Sequence, residues 1–138
     1  MRKILIVQSI PDWIAIITNA ILKEFPELEK DIISTDSFDH AITIVPKNVE
    51  LTVITSEMFH DLYSPHRKDV HPKISEDEKN SDKLAQMIKE INPSAKVYVY
   101  SEYKPRTEVY LDGFIFKDGT ENRNVTEIVQ KVGQKELI

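Results

Sequence analysis

The sequence alternates short apolar runs with longer segments in which apolar residues recur at helical spacing. The short runs have the length of strands and are rich in β-branched or aromatic residues. They are Ile4–Val7, Ile32–Ile33, Leu51–Ile54, Val97–Tyr100 and Phe114–Phe116. Most are apolar at nearly every position, which is typical of parallel strands that are covered on both faces.

Four segments carry apolar residues at the spacing i, i+3, i+4, i+7, which predicts helices that are apolar along one stripe. These segments run over 13–21, 38–45, 84–91 and 125–132. Helix-start residues agree with them: Pro11 opens the first helix, Ser37 caps the second and Asn124 caps the last. The third helix starts at Ser75 or, slightly later, at Ser81.

The resulting order of elements predicts an α/β fold with a parallel sheet. Right-handed crossovers and five strands favour a flavodoxin-like three-layer sandwich with strand order 2-1-3-4-5. The fourth crossover is short, because only the 12 residues Glu102–Gly113 separate the last two strands. Any helix there spans one or two turns, and we place it at Pro105–Leu111.

Composition limits the class of protein. The 138 residues, 41% of them hydrophobic, with a formal charge of −5, predict one soluble domain over 1–138. The chain has no Cys, which excludes disulfides, thiolate metal ligands and a catalytic thiol. No apolar run approaches the ~18 residues of a membrane span, and no signal peptide is recognisable. We therefore expect a cytoplasmic protein with no membrane and no nucleic acid among its partners.

A long loop follows the third strand. Residues 57–74 show no periodicity and hold three histidines, His60, His66 and His71. Imidazole is a common ligand for zinc and nickel, but this spacing matches no metal-binding motif. We expect solvated loop histidines and no bound metal, with a metal site in this loop as the alternative.

Four segments together match the sequence motifs of one known family. Lys3–Pro11 is similar to the family's K-I-L-I-V-D-D-x-P, and Glu50–Thr55 is similar to D-L-V-I-L-D. Ser101 stands at the position of the family's Ser/Thr switch. Gly113–Lys117 resembles G-Y-φ-φ-K, which puts Phe114 at the switch aromatic and Lys117 at the invariant lysine. The chain therefore resembles the receiver domain of response regulators (CheY-like), and the resemblance extends from Lys3 to about Gly133.

The departures from the family pattern concern its acidic pocket. In an active receiver two acidic residues after the first strand bind Mg²⁺, and an Asp at the end of the third accepts a phosphoryl group. Here Gln8, Ser9 and Thr55 stand at those positions. Mg²⁺ binds through carboxylates, and a Thr hydroxyl needs a base to react. The resemblance thus implies a pseudo-receiver that binds no cofactor. Its degenerate pocket consists of Gln8, Ser9, Thr55, Ser101 and Lys117.

A receiver-like domain without phosphoryl chemistry signals through binding. We therefore expect a non-catalytic module that binds protein partners independently of phosphorylation, a homodimer being the simplest form. The short fourth crossover leaves large side chains for such an interface: Tyr103, Tyr110, Leu111 and Phe114.

Two other interpretations stay open. The hydroxyls of Ser9, Thr55, Ser56 and Ser101 with Lys117 are suited to a small anion, which gives a flavodoxin-like ligand-binding domain, with or without catalysis. We find no carboxylate pair and no nucleophile beside a histidine at the strand ends, so we do not expect an enzyme. A displaced phosphoryl acceptor at Glu57 or Asp61 is opposed by the distance of these residues from the strand end.

Overall fold

A five-stranded, all-parallel sheet forms the centre of the molecule. The computed structural model describes residues 2–8, 10–57, 80–101, 105 and 107–116. In chain order the strands are β1 (Arg2–Val7), β2 (Ile32–Thr35), β3 (Glu50–Thr55), β4 (Lys96–Ser101) and β5 (Gly113–Phe116). Their order across the sheet is β2-β1-β3-β4-β5. The predicted fold class and strand order are confirmed.

In the described residues, three α-helices connect these strands: α1 (Pro11–Glu24), α2 (Phe38–Thr43) and α3 (Ser81–Ile91). A 3₁₀ helix, Pro26–Asp31, precedes β2 and was not predicted; a single buried apolar residue, Leu28, gives too little pattern to reveal it. The predicted helix over 125–132 lies outside the described residues. None of the helices in the described ranges has both the length and the hydropathy that crossing a bilayer requires.

The sheet buries both of its faces, which explains the nearly continuous apolar runs of the sequence. Alternate residues of each strand point to opposite faces. Ile4 and Ile6 pack with Ile17 and Ile21 of α1, whereas Leu5 and Val7 face the side of α2 and α3. The described residues therefore form three layers, with α1 on one side and α2 and α3 on the other.

The helix starts follow local capping. Ser37 caps α2 as predicted, and its Oγ accepts a hydrogen bond from the His40 backbone N–H at 3.1 Å. Helix α3 begins at Ser81, the later of the two predicted starts. Its cap is Asn80, whose side chain accepts from the Lys83 backbone N–H at 2.9 Å.

The helix predicted over Pro105–Leu111 is wrong for the residues that the structure describes there: Pro105 and 107–111 contain no helical turn. The Tyr110 backbone N–H donates instead to the Asp82 carboxylate at 2.7 Å. The Tyr110 carbonyl accepts from Lys89 Nζ at 2.6 Å, and the Asp112 N–H donates to the Val97 carbonyl at 2.8 Å. These backbone groups are thus bonded to α3 and β4 rather than to each other.

Candidate functional site

The strand register brings three predicted site residues to one edge of the sheet. Thr55 of β3 pairs with Val7 of β1 on one side and with Val99 of β4 on the other. Gln8 directly follows β1, and Ser101 ends β4, so both lie at the carboxyl edge with Thr55. Open α/β sheets bind their ligands at this edge.

Two of the five predicted pocket residues, Ser9 and Lys117, lie outside the described residues, as do the loop histidines. Gln8, Thr55 and Ser101 are 1%, 0% and 6% exposed. Within the described ranges no group of three or more His, Asp or Glu side chains is placed to hold a metal.

Thr55 occupies the position at which the receiver pattern has its phosphoryl acceptor. Its hydroxyl donates to the carbonyl of Ser56 at 3.0 Å. The Ser56 N–H in turn donates to the Val7 carbonyl at 3.1 Å, which continues the contact between the ends of β1 and β3. The position therefore holds a buried, neutral alcohol that is bonded to its own backbone neighbour.

Gln8 presents a buried side-chain amide whose Nε2 donor has no partner among the described residues. Its backbone N–H donates to the Thr35 carbonyl at 3.2 Å, but Nε2 meets no acceptor within the part of the chain that the structure describes. Leaving a buried donor unpaired costs about 1–3 kcal/mol. Nε2 is thus a place where an acceptor atom of a ligand would be stabilising.

Glu57 supplies a carboxylate at the end of β3, where it anchors the start of α3. Its side chain, 3% exposed, accepts a hydrogen bond from the Ser81 hydroxyl. Its carbonyl accepts from the Ser81 N–H at 2.7 Å. Sequence reasoning treated Glu57 as the start of a loop and missed this role, because the two residues are 24 positions apart.

The predicted interface residues differ in exposure. Tyr110 is 37% exposed, whereas Leu111 and Phe114 are half-buried and Leu111 packs against the core under α2 and α3. Tyr103 lies outside the described residues. Val109, which is 77% exposed, was not among the predicted interface residues, because these were mainly the aromatic residues of this segment.

Solved structures with this fold include response-regulator receivers. The response regulator TrrA from Thermotoga maritima, in complex with Mg(2+)-BeF, is 19% identical; the match covers 97% of this chain and 98% of that one, with a TM-score of 0.59. A CheY-like receiver domain from Methanospirillum hungatei is 12% identical over 99% and 97% of the two chains, with a TM-score of 0.64.

A protein with another name shares the fold. A putative pilus assembly protein (cpaE) from Burkholderia thailandensis is 6% identical over 97% of this chain and 99% of that one, with a TM-score of 0.56. No protein-family model and no curated protein matches the sequence. At these identities the comparisons establish that the chain has a receiver fold.

Proposed function

We propose that the chain is a signalling domain of the response-regulator type that binds protein partners without phosphoryl transfer. The receiver fold supports the class. The residues at the carboxyl edge support a mode of action that differs from that of an active receiver.

One observation carries the proposal: Thr55, fully buried, ends β3 where the receiver pattern places its acceptor Asp. An alcohol lacks the low pKa of a carboxylate and needs a base before it attacks phosphorus. The neighbouring carboxylate, Glu57, already accepts a hydrogen bond from Ser81. Gln8 offers a neutral amide where Mg²⁺ would need a charged oxygen ligand.

Phosphoryl transfer is tested by incubating the protein with acetyl phosphate and Mg²⁺ and measuring the intact mass. We expect no added phosphoryl group on the wild type. The matched controls are Thr55→Asp alone, which restores the acceptor without the metal ligands, and the triple variant Gln8→Asp, Ser9→Asp, Thr55→Asp. Modification should require all three carboxylates. A phosphoryl group on the wild type, mapped to this edge of the sheet, would overturn the proposal.

Partner binding is tested at Val109 and Tyr110, the exposed residues of the fourth connection, which is the crossover between β4 and β5. Sedimentation velocity should show self-association of the wild type that Tyr110→Asp weakens. Ala15→Asp, an exposed change on α1 at the opposite face of the sheet, is the control and should have no effect. A strictly monomeric wild type, with no partner interaction altered by Tyr110→Asp, would contradict this surface.

A second candidate function is the binding of a small oxyanion at the carboxyl edge, and it is favoured by the buried Nε2 of Gln8, which meets no acceptor in the described part of the chain. A ligand that binds only the folded state raises the melting temperature. Inorganic phosphate should then stabilise the wild type more than chloride does at equal ionic strength. Gln8→Met should abolish that difference. Equal effects of both salts on the wild type would exclude this candidate.

A further inference from the structure

The first turn of α3 holds the end of β3 through Ser81. Both the backbone N–H and the hydroxyl of Ser81 donate to Glu57, the former to the carbonyl and the latter to the carboxylate. Ser81 is 1% exposed and Glu57 is 3% exposed. Hydrogen bonds to a charged group in a buried place are stronger than neutral ones, so this contact fixes the position of the turn.

The next residue of the same turn holds the fourth connection. Asp82, 7% exposed, accepts from the Thr107 hydroxyl at 3.0 Å through one carboxylate oxygen and from the Tyr110 backbone N–H at 2.7 Å through the other. These two bonds bracket Glu108 and Val109. The exposed Val109 side chain therefore projects from a short segment whose two ends are tied to one carboxylate.

A second attachment lies two turns further along α3. Lys89 donates to the Tyr110 carbonyl at 2.6 Å and forms an ion pair with Asp112 at 2.9 Å. Residues seven apart share one face of a helix, so Asp82 and Lys89 hold the segment 107–112 along one side of α3. Residues 107–110 are thus bonded to α3, whereas Asp112 also bonds to Val97 of β4.

We propose that the first turn of α3 couples the end of β3 to the exposed segment 107–110, so that any change at Glu57 alters how Val109 and Tyr110 are presented. Ser81 and Asp82 are consecutive residues of one helical turn, and a displacement of the first moves the second. Asp82 and Ser81 are positioning residues in this coupling. The inference rests on the proposed function in taking Val109 and Tyr110 as the binding surface.

The coupling has two consequences that follow from linkage. A ligand or partner that engages Glu57 changes the affinity at Tyr110, and a partner at Tyr110 changes the affinity at Glu57 by the same factor. Part of the affinity for a partner also depends on the ordering of the segment 107–110 by Asp82, since ordering in advance lowers the entropic cost of binding.

Hydrogen exchange measured by mass spectrometry on the isolated full chain tests the coupling without any partner. The variant Ser81→Ala removes the hydroxyl bond to Glu57 and leaves Asp82 intact. We expect exchange in a peptide covering 107–112 to accelerate by about threefold or more, because local opening becomes easier. Asp82→Ala, which removes the direct bonds, sets the upper limit of the effect.

The matched control is Ser94→Ala. Ser94 lies beyond the other end of α3 and donates its hydroxyl to the Val49 carbonyl and to Asn92 Oδ1, at 2.8 and 2.7 Å. This variant should leave the exchange of 107–112 unchanged. General destabilisation would appear as faster exchange in β1 as well, in which case Glu57→Gln, which keeps the shape of the side chain, is measured in its place.

Unchanged exchange of 107–112 in Ser81→Ala and Glu57→Gln, with a clear acceleration in Asp82→Ala, would overturn the coupling. This readout is independent of partner binding. A monomeric wild type with no partner interaction altered by Tyr110→Asp would therefore refute the proposed surface and leave the coupling standing, whereas a failed exchange test would refute the coupling and leave the surface standing.

Discussion

Two threonines in the sheet differ in whether their buried hydroxyls are paired. Thr52, fully buried on β3, has no partner for its Oγ1 within the described part of the chain. Thr35 of β2 accepts from the Ser37 N–H at 3.1 Å, and its Oγ1 lies 2.9 Å from His40 Nδ1. Val has nearly the same shape as Thr, so hydrogen bonding decides how a Thr→Val substitution changes the free energy of unfolding at each site.

We predict that Thr52→Val raises the free energy of unfolding by about 1 kcal/mol, because it removes an unpaired buried hydroxyl. Thr35→Val should lower it by about 1–2 kcal/mol, because it leaves the Ser37 N–H unpaired. Urea denaturation of both variants measures the two changes. Equal destabilisation by both substitutions would contradict the unpaired state of Thr52.

Tyr98 gives a prediction about alkaline pH. Burial raises the pKa of this phenol above its ordinary value of 10.0, and the negative charge of Asp112 raises the pKa further. The unfolded state therefore loses the proton first, and stability should fall as the pH rises from about 10 to the pKa of the folded state.

The variant Tyr98→Phe should flatten this part of the stability profile, and Asp112→Asn should move the phenol pKa back towards 10. Absorbance titration of the phenolate in the wild type and in Tyr98→Phe identifies the group. A wild-type titration in which the phenol of Tyr98 ionises at or below 10 would show that this account is wrong.

The carboxyl-edge residues Gln8, Thr55 and Ser101 were predictable, because each directly follows or ends an apolar run whose direction fixes the edge. The hydrogen bonds between Glu57 and Ser81 were not predictable. No local pattern links it to Ser81, and their contact depends on where α3 packs on the sheet. The exposure of Val109 likewise depends on bonds to Asp82, a residue 27 positions earlier in the sequence.

Among the elements, periodicity identified α1, α2 and α3 because each buries one stripe against the sheet. The helix predicted between β4 and β5 was wrong because side chains of α3 bind the backbone groups of that segment. The spacing of apolar residues in a sequence does not reveal such bonds. Helix α3 starts at Ser81, one of the two predicted starts, and the preceding Asn80 caps it through its side chain.

Glu57 and Ser81 also hold together the two ends of the long insertion between β3 and α3, and we call this pair of residues its neck. The chain passes Glu57 beside the point to which it returns at Ser81, since the Ser81 N–H bonds the Glu57 carbonyl. Joining two held ends by a shorter loop lowers the entropy cost of closure, by about 0.6 kcal/mol for each halving of its length.

We therefore predict that a Gly/Ser linker of about six residues can replace 59–78 while the fold is retained, with the free energy of unfolding within about 1 kcal/mol of the wild type. Circular dichroism and urea denaturation measure the result. The same replacement in Ser81→Ala, where the neck is weakened, serves as the control and should cost more. Loss of the cooperative transition in the shortened chain would show that the insertion contributes to the core.

At the scale of the whole molecule, the residues at the carboxyl edge of the sheet determine whether Mg²⁺ and beryllofluoride, the ions in the TrrA structure, stabilise the domain. Thermal unfolding with Mg²⁺ and beryllofluoride should show no stabilisation beyond that of a NaCl control at equal ionic strength, because Gln8 stands where the receiver pattern has a carboxylate ligand of Mg²⁺ and Thr55 stands where it has the acceptor Asp. The triple Asp variant should be stabilised by the same mixture. Stabilisation of the wild type alone would point to another set of ligands.

The position of β1 between β2 and β3 has a consequence for how the chain folds. Its two neighbours, β2 and β3, both come from residues 32–55, so three of the five strands pair within the first 55 residues. During synthesis this half of the sheet is available before α3, β4 and β5 exist. Substitutions in β3 such as Val53→Ala should then slow folding, with φ-values of about 0.5–0.8, and Ile115→Ala in β5 should mainly speed unfolding. The reverse pattern in stopped-flow kinetics would place the nucleus at the other edge.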